Sequence, residues 1–280
     1  MNLLALYGLK WNPFSADVPI EALWRFPGLE HFCWRIENQV REGGFALITG
    51  DPGTGKSVSL RILAGHLADL RDVEVGVLTR PQSAIADFYR ELGQLFGVAL
   101  RPHNRWAGFK ALRQRWLTHV ETTRYRPVLL VDEAQEIPTA VLAELRILAS
   151  TDFDSRSILT VVLSGDPRLT QHFRRDELIP IASRIRVRLN LDYLTPKELL
   201  EWLRHVLDKA GNPQLMTPEL MATLTEHAAG NLRVLATMAN EMLALAASRE
   251  ISQLDQKLYF EAFTPTSRPK PKAQAPSARA

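Results

Sequence analysis

The stretch Gly50-Asp51-Pro52-Gly53-Thr54-Gly55-Lys56-Ser57 constrains this chain more than any other. It fits G-x-x-x-x-G-K-[ST] at every fixed position. The apolar run Phe45-Ala46-Leu47-Ile48 precedes it and predicts a buried strand, and Ser57 to Ala64 follows with helical character. A strand, a glycine-rich turn and a helix in that order make a phosphate cradle. The glycines let backbone N–H groups face phosphate oxygens, and the helix N-terminus adds partial positive charge. Lys56 can reach β- and γ-phosphates, and the Ser57 hydroxyl can ligate Mg²⁺. The expected nucleotide-binding set is Gly50, Asp51, Pro52, Gly53, Thr54, Gly55, Lys56, Ser57 and the following Val58.

A second signal lies about 75 residues downstream. Pro127-Val128-Leu129-Leu130-Val131 predicts a buried strand that ends in Asp132-Glu133. The C-terminal edge of such a strand is where an open α/β sheet binds its ligands. Asp132 can hold the water shell of Mg²⁺, and Glu133 can deprotonate an attacking water. Ser157 to Asp166 predicts a further strand with a polar end, where Ser164 and Asp166 are both candidates to contact the γ-phosphate or the lytic water. Val73 to Leu78 and Val187 to Leu191 predict two more strands. Helices are expected over Leu29–Val40, Ser83–Phe96 and Trp106–Thr122. Strands alternating with helices predict a mainly parallel sheet with helices on both faces.

From Thr195 the pattern turns all-helical. Thr195-Pro196-Lys197-Glu198 has the form of a capping box, Thr217-Pro218 opens a second helix, and Gly230-Asn231-Leu232-Arg233 breaks the pattern before a third. Leu254 to Phe263 predicts a fourth. The expected organisation is an approach segment and helix over 1–44, an α/β nucleotide-binding core over 45–194, a helical lid over 195–263, and a basic, disordered tail over 264–280. Near the N-terminus, Trp11-Asn12-Pro13-Phe14 forms a turn with an aromatic expected to be exposed, which lies across a nucleotide base or caps the core.

Composition narrows the setting. The apolar fraction is 46%, which suits a globular body. A lone cysteine, Cys33, excludes a disulfide framework. No apolar run approaches the roughly 20 residues of a membrane span, and no signal peptide is evident, so a cytoplasmic location is expected. The net charge of +3 becomes −1 once the four tail cations Arg268, Lys270, Lys272 and Arg279 are set aside. Overall charge is therefore no argument for nucleic-acid binding, which needs a local patch. Arg101, Arg105, Lys110, Arg113 and Arg115, on and before the third helix, are the candidate DNA contacts; the same residues also read as a solvated basic face.

Taken together, the phosphate loop, Val128-Leu129-Leu130-Val131-Asp132-Glu133, the polar-tipped strand and the helical lid resemble the AAA+ ATPases over about residues 8–263. The resemblance implies a P-loop NTPase fold, a five-stranded sheet followed by a small helical lid, and hydrolysis of ATP to ADP and phosphate with Mg²⁺. It also implies two arginine roles. Pro180-Ile181-Ala182-Ser183-Arg184-Ile185 resembles the segment carrying the arginine finger, so Arg184 would act on nucleotide held by a neighbouring subunit, with Arg174, Arg175 and Arg186 as local competitors. Gly230-Asn231-Leu232-Arg233 resembles the lid's sensor-2 motif, so Arg233 would contact nucleotide in cis.

More narrowly, Tyr7-Gly8-Leu9-Lys10-Trp11-Asn12-Pro13-Phe14 with Val131-Asp132-Glu133-Ala134-Gln135 is similar to the ExeA-like ATPases. That group includes secretion-associated proteins and the ATPase partners of transposases, of the TniB, TnsC, MuB and IstB kind. Secretion members typically continue into a membrane span and a cell-wall-binding domain, whereas this chain ends in a basic tail. The resemblance thus implies a nucleotide-dependent homo-oligomer, ring or filament, that binds duplex DNA and a transposase. The alternative it implies is an ATPase for secretion or envelope assembly.

Overall fold

Alternation along β1 (Gly44–Gly50) explains the layering. Phe45 and Leu47 point to one side of the strand, and Ala46 and Ile48 point to the other, yet all four are buried. A strand buried on both faces belongs in the middle of a parallel sheet. The computed structural model describes residues 3–100 and 104–263. Among these residues, β2 (Val75–Leu78), β3 (Val128–Val131), β4 (Thr160–Gly165) and β5 (Ile185–Leu191) join β1 in one five-stranded sheet. The order is β2-β3-β4-β1-β5, and every pairing is parallel.

Helices cover both faces, as right-handed crossovers require. On one side, α1 (Pro27–Gln39) and α2 (Lys56–Ala68) bring Phe32, Ile36, Ile62 and Leu63 against Ala46, Ile48, Leu130 and Val162. On the other, α3 (Ile85–Leu95), α4 (Arg105–Thr123) and α5 (Thr139–Ala149) bring Phe88, Trp116 and Leu145 against Phe45, Leu47, Leu129 and Val161. β5 is an edge strand. Its odd-numbered residues are buried, while Arg186, Arg188 and Asn190 face outward. Charged outward residues are a common guard on such an edge. Cys33 packs inside the α1–α2 side, and burial pushes its thiol up to about 11, so the thiolate is not accessible near neutrality.

Several elements differ from the sequence expectation. The helix α5 carried no prior assignment. The sheet strand β4 starts at Thr160, not Ser157, because Arg156–Ser157 pair with Ser150–Thr151 in a short hairpin. β5 starts two residues earlier than expected, since Ile185 still pairs with Phe45.

The lid comprises α6 (Pro196–Ala210), α7 (Pro218–His227), α8 (Leu232–Ser248) and α9 (Gln256–Phe263) around a separate core. The start of the N-terminal segment packs into this lid core. Tyr7, Leu9 and Phe14 are buried against it. Tyr7 Oη donates to Ile251 O at 2.9 Å, and Lys10 N donates to Ala210 O at 2.9 Å. Phe14, expected to be exposed, is buried, because the lid offers an apolar surface that local sequence does not reveal. No described helix is long and apolar enough to cross a membrane. The expected tail, 264–280, lies outside the described residues.

The capping box at Thr195 forms in full. Glu198 N donates to Thr195 Oγ1, and Thr195 N donates to Glu198 Oε2 at 2.8 Å. The Thr195 hydroxyl and backbone N–H hold the Glu198 carboxyl below its ordinary pKa. A carboxyl whose folded pKa is depressed adds stability above its unfolded pKa and loses it as pH falls through the folded one. Thr195→Ala should therefore lower the unfolding free energy by about 1 kcal/mol. The stability gap between wild type and Glu198→Gln, read from denaturant midpoints, should be present at neutral pH and close in acid.

Candidate nucleotide site

β1 delivers the phosphate loop at its C-terminal end and α2 receives it. Gly53 and Gly55 sit at φ +90° and +100°, a region that side chains rarely adopt. Gly53 faces a second constraint: a Cβ there would lie 2.2 Å from Asn231 Oδ1. Asn231 caps α8, its Oδ1 accepting from Arg233 N and Val234 N, while its Nδ2 donates to Pro52 O at 3.0 Å. Arg233 N donates to Gly53 O at 3.3 Å. The lid is thus hydrogen-bonded directly to the loop.

Lys56 is buried, and its ammonium has a carbonyl partner, Asp51 O, at 3.1 Å. No carboxylate lies within ion-pairing distance of it among the described residues. A buried cation of this kind fits an anionic ligand. Together with loop glycines that exclude side chains, it makes the site suited to a nucleotide's phosphates.

The loop opens into a cavity of about 1080 Å³, at the upper end of the roughly 300–1,000 Å³ usual for ligand sites. Pro52, Gly53, Thr54, Gly55, Lys56, Ser57 and Val58 line it, with Glu133, Asp166 and Arg233. The N-terminal segment supplies an apolar wall through Pro13, Phe14, Trp24 and Phe26, and α6 adds Trp202 and Val206. Arg61 on α2 fixes that wall, donating to Ala16 O and Val18 O, each at 2.9 Å. The N-terminal segment therefore caps a core, that of the lid, and also flanks the cavity.

Asp132 is half-buried and stands behind the cavity. It accepts from Glu133 N and from Ser164 Oγ, each at 3.0 Å. Ser164, expected to contact the γ-phosphate or the lytic water, is fully buried and meets Asp132 rather than lining the cavity. Asp166 is the strand-end residue that reaches the cavity. Burial works against its charge, but hydrogen bonds from the Arg168 side chain and backbone outweigh this and lower its pKa.

Glu133 is exposed to the cavity and held at φ +49°, ψ +40°. This left-handed conformation is unusual for a side-chain-bearing residue and typical of functional sites. Gln135, to which the sequence reading gave no role, fixes its carboxylate. Gln135 is buried; its Nε2 donates to Glu133 Oε2 at 2.5 Å, and its Oε1 accepts from Asp166 N at 3.1 Å. Gly165 makes the room, since a Cβ there would meet Gln135 Oε1 at 2.6 Å. One amide thus ties the end of β3 to the end of β4. Asn231 and Gln135 both lie inside quoted motifs, but only the fold reveals their partners.

Arg184, expected to act on a neighbour's nucleotide, does not line the cavity. It is half-buried, bonded to Pro180 O and, at 2.9 Å, to Asp154, which also takes Arg146. The Ser150 hydroxyl, Arg184 and Arg146 hold the Asp154 carboxyl below its ordinary range. Of the competitors, Arg186 pairs with Glu42.

The expected DNA face is not a free basic stripe. Arg105 pairs with Glu144, Arg115 pairs with Glu74 at 3.0 Å, and Arg113 donates to the carbonyls of Ile147 and Leu148 at the end of α5. Lys110 remains exposed, with its ammonium 5.0 Å from the ring centre of Trp106. Arg101 lies outside the described residues.

Residues 39–173 match the AAA domain family. The chain is 32% identical over 252 residues to General secretion pathway protein A of Aeromonas hydrophila, an alignment covering 87% of this chain and 44% of that protein. It therefore spans less than half the length of that relative. Among solved structures, the ORC2 protein of Aeropyrum pernix in its ADPNP-ADP complexes superposes with a TM-score of 0.70 at 14% identity, covering 92% of this chain and 72% of that one. Drosophila ORC bound to DNA superposes at 0.64 and 19% identity, covering 94% and 65%. The solved structures establish the fold, a P-loop NTPase core with a helical C-terminal region.

Gln135→Leu removes both amide bonds while keeping an apolar fit. If Glu133 is the general base expected from the sequence, ATP turnover should fall about 100-fold, the low end for such a group, with nucleotide affinity within about twofold. Parallel steady-state kinetics and nucleotide titration check this.

Proposed function

We propose that this AAA-type chain binds and hydrolyses ATP at a site completed by a neighbouring copy of itself. The observation that carries the reading is one cavity lined by Lys56, Ser57, Glu133, Asp166 and Arg233. Lys56 and the loop N–H groups bind the phosphates. The base lies against the apolar wall of Phe14, Trp202 and Val206. Ser57 and Asp132 would hold Mg²⁺, which would supply charge neutralisation at the phosphates. Glu133, steadied by Gln135, takes the proton of the attacking water. Arg233 senses the phosphates in cis and links them to the lid. Arg184 of one copy exchanges Asp154 for the nucleotide of the next and stabilises developing charge there.

This reading extends to what the ATPase serves. We propose that nucleotide drives assembly into a ring or filament on duplex DNA and that the assembly regulates a transposase. The ExeA-like motifs support this, as does the likeness in fold to an ORC bound to DNA. A second reading, an ATPase serving secretion through protein partners, is supported by the 32% identity to General secretion pathway protein A.

Lys56→Ala should abolish nucleotide binding or weaken it severely, and Glu133→Gln should bind ATP and retain it. Arg184→Ala should keep nucleotide affinity but lose hydrolysis about 10³-fold, the lower range for an arginine finger. Normal hydrolysis by Arg184→Ala would exclude it as the finger. The ATPase rate with and without duplex DNA, with electron microscopy of the same mixture, separates the two processes. Stimulation and DNA-bound assemblies favour transposition; a rate indifferent to DNA favours protein partners.

A further inference from the structure

The parallel strands all begin at the sheet edge opposite the phosphate loop, and four arginines gather there. Arg41 follows α1 and precedes β1, Arg124 and Arg126 precede β3, and Arg156 precedes β4. All four line one cavity of about 630 Å³ with Tyr125 and a single acidic residue, Glu121. None of the four makes an ion pair among the described residues, whereas Arg105, Arg115, Arg168, Arg184 and Arg186 all do.

One of the four is built in. Arg126 is half-buried, with Nε donating to Ser157 O at 3.2 Å and Nη1 donating to Arg41 O and Arg124 O. Carbonyls from three segments thus orient its guanidinium without neutralising it. Burial first, and then the charge of Arg156, lower its pKa, with the Glu42 carboxylate acting the other way. Arg41 lies with its guanidinium 6.0 Å from the ring centre of Tyr125, which restrains it at the cavity. The guanidiniums of Arg124 and Arg156 have no hydrogen-bond partner among the described residues, so their donors face solvent. Guanidinium forks match phosphate oxygens in pairs, and several in one concavity select a ligand with more than one phosphate.

We propose that the cavity framed by Arg41, Arg124, Arg126 and Arg156 is a second anion site, which binds a phosphate-bearing polyanion at the face opposite the nucleotide. The site shares no residue with the nucleotide cavity, so the inference does not rest on the ATPase reading. Its ligand is either a free polyphosphate or the phosphodiester backbone of a nucleic acid, since both present the same chemistry.

The test uses the full chain carrying Lys56→Ala, which disables the phosphate loop, with and without Arg41→Glu and Arg156→Glu. Affinities for inorganic tripolyphosphate and for a fluorescent duplex oligonucleotide are measured as a function of salt. The added double substitution is expected to weaken at least one ligand tenfold or more. Loss confined to tripolyphosphate identifies a free anion. Loss of duplex binding, with a plot of log affinity against log salt about two units shallower, identifies nucleic acid. Both affinities unchanged overturn the proposal. Circular dichroism verifies folding, and Arg41→Gln with Arg156→Gln replaces the charge reversal if that variant unfolds; the same two outcomes then apply.

Discussion

The hydrogen bonds between Asn231 and the phosphate loop set the geometry on which the rest of the site depends. A loop that must present N–H groups inward leaves its carbonyls facing outward, and these need partners. Asn231 Nδ2 satisfies Pro52 O, and the backbone of Arg233 satisfies Gly53 O. The same Asn231 side chain caps α8. Lid orientation and loop conformation are therefore one arrangement. A shift of the loop must therefore move the start of α8, Arg233 included.

A second amide performs a comparable task in the sheet. Gln135 joins Glu133 on the turn after β3 to Asp166 at the end of β4. The turn is conformationally costly, with Glu133 in the left-handed region, so it persists because its surroundings over-determine it. Ser164 contributes from below by orienting Asp132. The carboxylate pair is thus divided by environment. Asp132 is supported from the protein interior, while Glu133 is turned out toward the cavity.

Long-range charge follows the same division. At the C-terminal edge of the sheet, cation and anion are balanced around the cavity, as with Arg168 between Asp166 and Glu136. At the N-terminal edge, Arg41, Arg124, Arg126 and Arg156 converge with little compensation. Arg184 is held by Asp154 on the tight loop of residues 152–154, all at positive φ. Its guanidinium is thereby kept ordered within this chain.

The sequence alone determined the phosphate loop, the Asp132-Glu133 pair, the parallel α/β sheet and the helical lid. Each is written locally, as a contiguous motif, a period of two or 3.6, or a cap such as Thr195 with Glu198. Tertiary structure alone decided which polar residues meet. Ser164 lies inside β4 and meets Asp132 in the interior, whereas Asp166 lies just past the strand, where it caps the next helical turn and reaches the cavity. The helical period of α4 revealed its buried face but not the Glu74, Glu144 and α5 carbonyls that occupy its arginines. Residues 3–14 carried no signal that their aromatics belong to a lid some 200 positions away. Asn231, Gln135 and the arginine cavity are likewise contacts between distant segments, which no periodicity encodes.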